Sequence, residues 1–70
     1  MQLSLTDLRL FVRTAEHASL TKAAAAMHLS LAAASARIKA LENQTKLQLL
    51  YREARGVRLT PAGEAFLHHA

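Results

Sequence analysis

Cysteine and tryptophan are missing from this sequence, proline occurs once, and glycine occurs twice. Without cysteine there is neither a disulfide framework nor a thiolate zinc site to hold the chain together, and an intracellular, cytoplasmic setting fits. No glycine-rich phosphate loop is present. No apolar run approaches the roughly 20 residues that span a bilayer, and Met1 to Leu5 lack the basic start and apolar stretch of an export signal. The five carboxylates and four histidines are scattered over separate segments. No acid, base or nucleophile is therefore assembled, and the chain reads as a non-enzyme without a cofactor. Glu64 and His68 stand at i and i+4, but two ligands without a third make an ordinary side-chain pair, so no metal site is read. His17 and His28 read as helix ends, where a partly charged ring suits the dipole.

Seventy residues allow one domain at most, and a chain of this size buries only about 60% of its unfolded surface. The formal net charge is +4, and its placement says more than its size. Between Arg37 and Arg58, six cations (Arg37, Lys39, Lys46, Arg52, Arg55, Arg58) face two carboxylates, Glu42 and Glu53. Outside that stretch Arg9, Arg13 and Lys22 cancel Asp7, Glu16 and Glu64. The whole excess lies in one stretch, as a polyanion-binding face requires. No basic helix with bulky aromatic or leucine anchors accompanies it, which argues against a membrane surface.

Residues Ser19 to Leu41 organise the chain. Leu20, Ala23, Ala24 and Met27 recur at i, i+3, i+4 and i+7, giving a short helix one apolar face. After a break at His28 to Ser30, a second alanine-rich helix carries Ala34, Ile38 and Leu41 on one side. Ala32, Ser35, Ala36, Lys39 and Asn43 lie opposite, with Leu31 and Arg37 on the flanks. Ser19 and Ser30 stand as the N-caps. Two short capped helices joined by about three residues make a helix-turn-helix, whose second helix usually enters the DNA major groove.

Before this motif, Thr6 and Asp7 open a helix that runs to about His17 with an apolar stripe of Leu5, Leu8, Phe11, Val12 and Ala15. Phe11 and Val12 are the natural partners for the small alanines of the motif. After it, Asn43 is the candidate stop of the second helix. Leu47 to Tyr51 reads as a strand, Arg52 to Gly56 as a turn, and Val57-Arg58-Leu59 as a second strand, making a hairpin with a basic tip. Thr60-Pro61 is the clearest helix start, a threonine cap followed by proline at the first helical position. Ala62, Ala65, Phe66 and His69 begin its stripe, which runs to Ala70 with no stop signal, as expected of a helix cut midway.

This order resembles the winged helix-turn-helix of LysR-type transcriptional regulators from about Leu5 to Ala70. The likeness is carried by Phe11-Val12, Ala15-Glu16, Ser19 to Ala24, His28-Leu29-Ser30, Ser35, Ile38, Leu41-Glu42, Leu49, Arg52 and Val57 to Glu64. The resemblance implies a mainly α fold with three helices, a two-stranded wing and the start of a fourth, linker helix. Residues 1–60 would be the DNA-binding domain and 61–70 the start of a dimerising linker. It also implies a bacterial, sequence-specific binder of double-stranded DNA whose parent is a homo-oligomer, with a small-molecule effector bound only in a further C-terminal domain. A winged-helix protein-interaction module without DNA reading is the alternative.

The residues expected at DNA are Ser19, Thr21, Lys22, Ser30, Leu31, Ala32, Ser35, Ala36, Lys39, Arg52 and Arg55. Leu31, Ser35 and Lys39 recur every four residues along one groove-facing edge. Leu31 suits a thymine methyl and Ser35 a base edge or a phosphate, while Arg55 matches a wing position that enters the minor groove in relatives. Arg58 is expected to join Lys39, Arg52 and Arg55 on phosphate. Leu31-Ala32 stands where the family usually has Gln-Pro, and Ser35-Ala36 where it has Ser-Arg, so the base sequence read by relatives does not carry over. Thr45-Lys46 replaces the usual leucine-glycine, and Tyr51 the usual acidic residue before the wing arginine.

Overall fold

The computed structural model describes residues 4–54 and 56–69. Along the chain these form helices α1 (Leu5–His17), α2 (Leu20–Ala26) and α3 (Leu31–Thr45), strands β1 (Leu50–Glu53) and β2 (Gly56–Leu59), and helix α4 (Pro61–His69). Arg55, expected at the wing tip, lies outside the described residues.

Every helix starts on a hydroxyl that accepts a bond from an otherwise free N–H of the first turn. Ser19 accepts from the Lys22 amide at 3.2 Å, Ser30 from Ala33 at 3.1 Å and Thr60 from Gly63 at 2.9 Å, as the spacing predicts. In α1 the cap is Ser4, which accepts from the Asp7 amide at 3.5 Å, and Thr6 falls inside the first turn.

The packing face of α1 also differs from the apolar stripe. Asp7, Leu10, Phe11 and Thr14 are buried, whereas Leu5 is 64% exposed and Leu8, Val12 and Ala15 are half-buried. Two polar side chains sit on the buried face because both are satisfied there. Thr14 Oγ1 donates to the Leu10 carbonyl at 2.7 Å, and Asp7 accepts from Arg37 of α3. A hydropathy pattern places such residues outside.

Left-handed residues shape the turns: Ala18 (φ 52°) after α1, His28 (φ 57°) between α2 and α3, and Lys46 (φ 58°) after α3. Helix α3 thus passes Asn43 and ends at Thr45, with the Leu47 amide donating back to the Glu42 carbonyl at 3.3 Å. Lys46 takes the conformation a glycine would adopt at that point. Its partner residues decide the stop, since the Glu42 carboxylate accepts from the amides of Leu49 at 2.8 Å and Leu50 at 3.3 Å. These bonds tie the chain to α3 where it enters β1, which begins at Leu50, and Leu47 lies exposed before the strand.

The two strands pair antiparallel from Leu50↔Leu59 to Glu53↔Gly56, so that Arg52, Glu53 and Gly56, expected in the turn, belong to the strands. The hairpin is marginal alone and is docked at both ends. At its tip side the Val57 amide donates to the Ala18 carbonyl at 3.1 Å, and Gly56 (φ 140°) leaves no room there for a Cβ. At its base the Thr60 amide donates to Leu49 at 3.1 Å, and the Thr60 hydroxyl donates to the Gln48 carbonyl at 2.5 Å. Gly63 lets α4 settle on the Leu49 carbonyl, which a Cβ would overlap. The inward side of α4 is therefore Gly63, Phe66 and Leu67, while Ala65 and His69 of the expected stripe are exposed. Phe66 meets Phe11 edge to face at 5.5 Å, above a core of Leu10, Leu20, Ala23, Ala24, Ala34, Ile38, Leu41, Leu49 and Leu50.

Candidate nucleic-acid interface

Burying Ala34, Ile38 and Leu41 fixes which side of α3 looks outward. Ala32, Ala36 and Lys39 are exposed there, Ser35 is half-buried, and Leu31 at the first turn keeps 51% of its surface in solvent. A half-exposed leucine on an otherwise small, polar face suits contact with another surface. The alanines let the helix backbone approach that surface closely.

The start of α2, the start of α3 and the wing meet in one groove, lined among others by Ser19, Thr21, Leu31, Arg52 and Val57. Four residues expected at DNA are thereby brought together from three separate segments. The docked hairpin is the cause, because the bond from Val57 to Ala18 sets β2 beside the turn that leads into Ser19. Lys22 and Ser30 are exposed beside the groove. The Ser19 and Ser30 oxygens accept from backbone amides, which leaves each hydroxyl hydrogen available to a phosphate oxygen.

Among the described cations of this stretch, Arg37 and Arg58 are engaged within the fold. Arg58 lies 4.8 Å over the Tyr51 ring and bonds Glu53 at 3.2 Å. Cross-strand pairing places Tyr51 with Arg58 and Arg52 with Val57, so Arg58 and Arg52 occupy opposite faces of the hairpin. Among the described residues Arg52 shares the groove with α3, whereas Arg58, also expected on phosphate, lies on the other face of the hairpin. Tyr51, where the family usually has an acidic residue, is the platform for that arginine. Arg37 reaches Asp7 at 2.9 Å instead of the outer face. Lys46 sits at the far end of α3, beside Asn43 and Gln48. Among the described residues Arg52 is the cation that lines the groove, beside the Glu53 carboxylate that Arg58 holds, and Lys22 on α2 and Lys39 on α3 are exposed.

Sequence reasoning missed the residues that hold this geometry: Asp7 with Arg37, Glu42 at the start of β1, and the two glycines. A signal was present for the first pair. Asp7, Leu10, Phe11 and Thr14 recur at i, i+3, i+4 and i+7, the true inward face read without regard to polarity.

Residues 5–64 match the bacterial regulatory helix-turn-helix proteins of the lysR family. The chain belongs to that family. Among relatives of this LysR-family chain, the HTH-type transcriptional regulator YofA of Bacillus velezensis is 44% identical over 64 residues, covering 91% of this chain and 22% of YofA. The Hca operon transcriptional activator HcaR of Escherichia coli is 43% identical over 68 residues, covering 97% of this chain and 23% of HcaR. The chain thus spans under a quarter of either regulator. Its fold superposes on the crystal structure of a CbnR_DBD–DNA complex with a TM-score of 0.92 at 34% identity, covering 96% of this chain and 77% of that one. These matches confirm the winged helix-turn-helix and the resemblance on which it was expected.

Proposed function

We propose that this LysR-family domain binds double-stranded DNA sequence-specifically, as the DNA-reading part of a bacterial transcription regulator. The observation that carries the reading is the groove joining Thr21, Leu31 and Arg52 beside the exposed edge of α3. The edge enters the major groove, with Leu31, Ser35 and Lys39 toward base edges and Ala32 and Ala36 permitting close approach. Ser19, Thr21, Lys22, Ser30 and Arg52 hold phosphates on either side. Arg55 supplies the contact of the wing tip in the minor groove.

The role is binding, without catalysis, and is exercised in the bacterial cytoplasm. In the parent regulator a continuation of α4 acts as the linker that makes the dimer, and residues 61–70 are its start. An effector-binding domain beyond it completes the regulator. The test is selection from a pool of random duplexes by the 70-residue chain. Enrichment of a consensus supports sequence-specific reading, and a pool that stays random after repeated rounds contradicts it.

A further inference from the structure

One directed contact links the second helix of the motif to α1, which stands outside the motif. Arg37 Nη1 of α3 bonds Asp7 Oδ1 of α1 at 2.9 Å. The Asp7 side chain is 9% exposed and that of Arg37 42%. The remaining inward contacts of α3 come from Ala34, Ile38 and Leu41, which are apolar and hence non-directional. With only a methyl group at Ala34, such a face fixes depth better than roll about the helix axis.

Polar ties fix roll, and α3 has them on two flanks. By helical spacing, Arg37 lies about 120° round the axis from Leu31 and about 160° from Ser35 and from Lys39. Glu42, which holds the start of β1, lies about 140° from Arg37 on the other flank. A small rotation that lengthened the Arg37–Asp7 bond would swing the edge carrying Leu31, Ser35 and Lys39 across the groove. Base contacts require placement to a fraction of an ångström, whereas phosphate contacts by long side chains tolerate such a swing.

We propose that Arg37 is a positioning residue, whose bond to Asp7 sets the roll of α3 and so the sequence selectivity of DNA binding, without Arg37 itself touching DNA. The proposal rests on the DNA reading above. It assigns the cation to specificity, where a count of charges assigns it to phosphate affinity.

The test compares a duplex selected by the wild-type chain with a scrambled duplex of equal length and composition. Three variants are used: D7N, R37M and the double variant D7N/R37M, which leaves no unpaired buried carboxylate. In each, the ratio of selected to scrambled affinity falls about tenfold, the worth of one good base contact, or about 1.4 kcal/mol. The double variant loses no more than the worse single one, because one bond is removed in all three. Affinity for the scrambled duplex and its salt slope stay at wild-type values.

Three results overturn the proposal. The first is a folded double variant that keeps the wild-type ratio. The second is R37M weakening both duplexes alike with a salt slope smaller by about one while D7N is neutral, which makes Arg37 a phosphate ligand. The third is a double variant that loses its helical circular dichroism, which makes the pair a fold determinant. A wild-type chain that selects no duplex defeats the DNA reading itself, whereas a selective wild type with unaltered variants defeats this inference alone.

Discussion

The inner and outer faces of α3 both carry alanine and put it to opposite uses. Inward, Ala34, Ile38 and Leu41 are exposed by 1% or less, and the methyl group of Ala34 packs as tightly as the larger side chains. Outward, Ala32 and Ala36 lie in solvent. Alanine on the first face is small because α1 and α2 leave no space for more. On the second it is small although space is unlimited, which suits a helix that must lie close to a partner. Inner substitutions should therefore move stability and binding together, and outer ones binding alone.

The sharpest way to break that division is at its inner limit. Phe11→Ala removes a ring that is fully buried and meets Phe66 edge to face. A loss of about 3 to 5 kcal/mol is expected. For a domain this small that approaches the whole stability, so circular dichroism at 25 °C should show a largely unfolded chain. Gly63→Ala comes next, since the added Cβ meets the Leu49 carbonyl. A destabilisation of about 3 kcal/mol is expected, visible as a lower urea midpoint.

How much of this division was legible beforehand depended on what carried it. The inner face of α3 was, because Ala34, Ile38 and Leu41 repeat with the helical period in an otherwise polar segment. So were the caps at Ser19, Ser30 and Thr60, which are local chemistry. The inward face of α1 was not, because Asp7 and Thr14 become inner residues only through bonds to Arg37 and the Leu10 carbonyl. The end of α3 and the start of β1 were misplaced for a related reason. Both depend on Glu42 reaching residues 7 and 8 positions ahead, a contact that no propensity encodes. At the candidate site, the residue types and the helix edge were readable, whereas the groove that gathers Thr21, Leu31 and Arg52 required knowing where the hairpin docks.

A smaller test lies at the turn on which the wing docks. Ala18 is held left-handed at φ 52°, a conformation that costs a residue with a Cβ about 1 kcal/mol. Ala18→Gly should raise stability by up to that amount and the melting temperature by a few degrees. A fall in the melting temperature would mean that the side chain, not the backbone, matters at that turn.

The smallest effect on stability is expected outside. Lys39→Ala should change unfolding free energy by less than about 0.5 kcal/mol. It should nevertheless weaken duplex binding and reduce the salt slope by about one. A loss of stability comparable with that of the inner variants would erase the distinction between the faces.

The most direct measurement for the account as a whole is the affinity of the wild-type chain for duplex DNA as a function of salt. Lys22, Lys39 and Arg52, with Arg55 at the wing, predict three to four neutralised phosphates. The logarithm of the affinity should then fall linearly with the logarithm of salt, by about 40- to 150-fold between 50 and 200 mM. An affinity that is flat over that range would contradict an outer face built for DNA and leave the small, exposed edge of α3 to a protein partner.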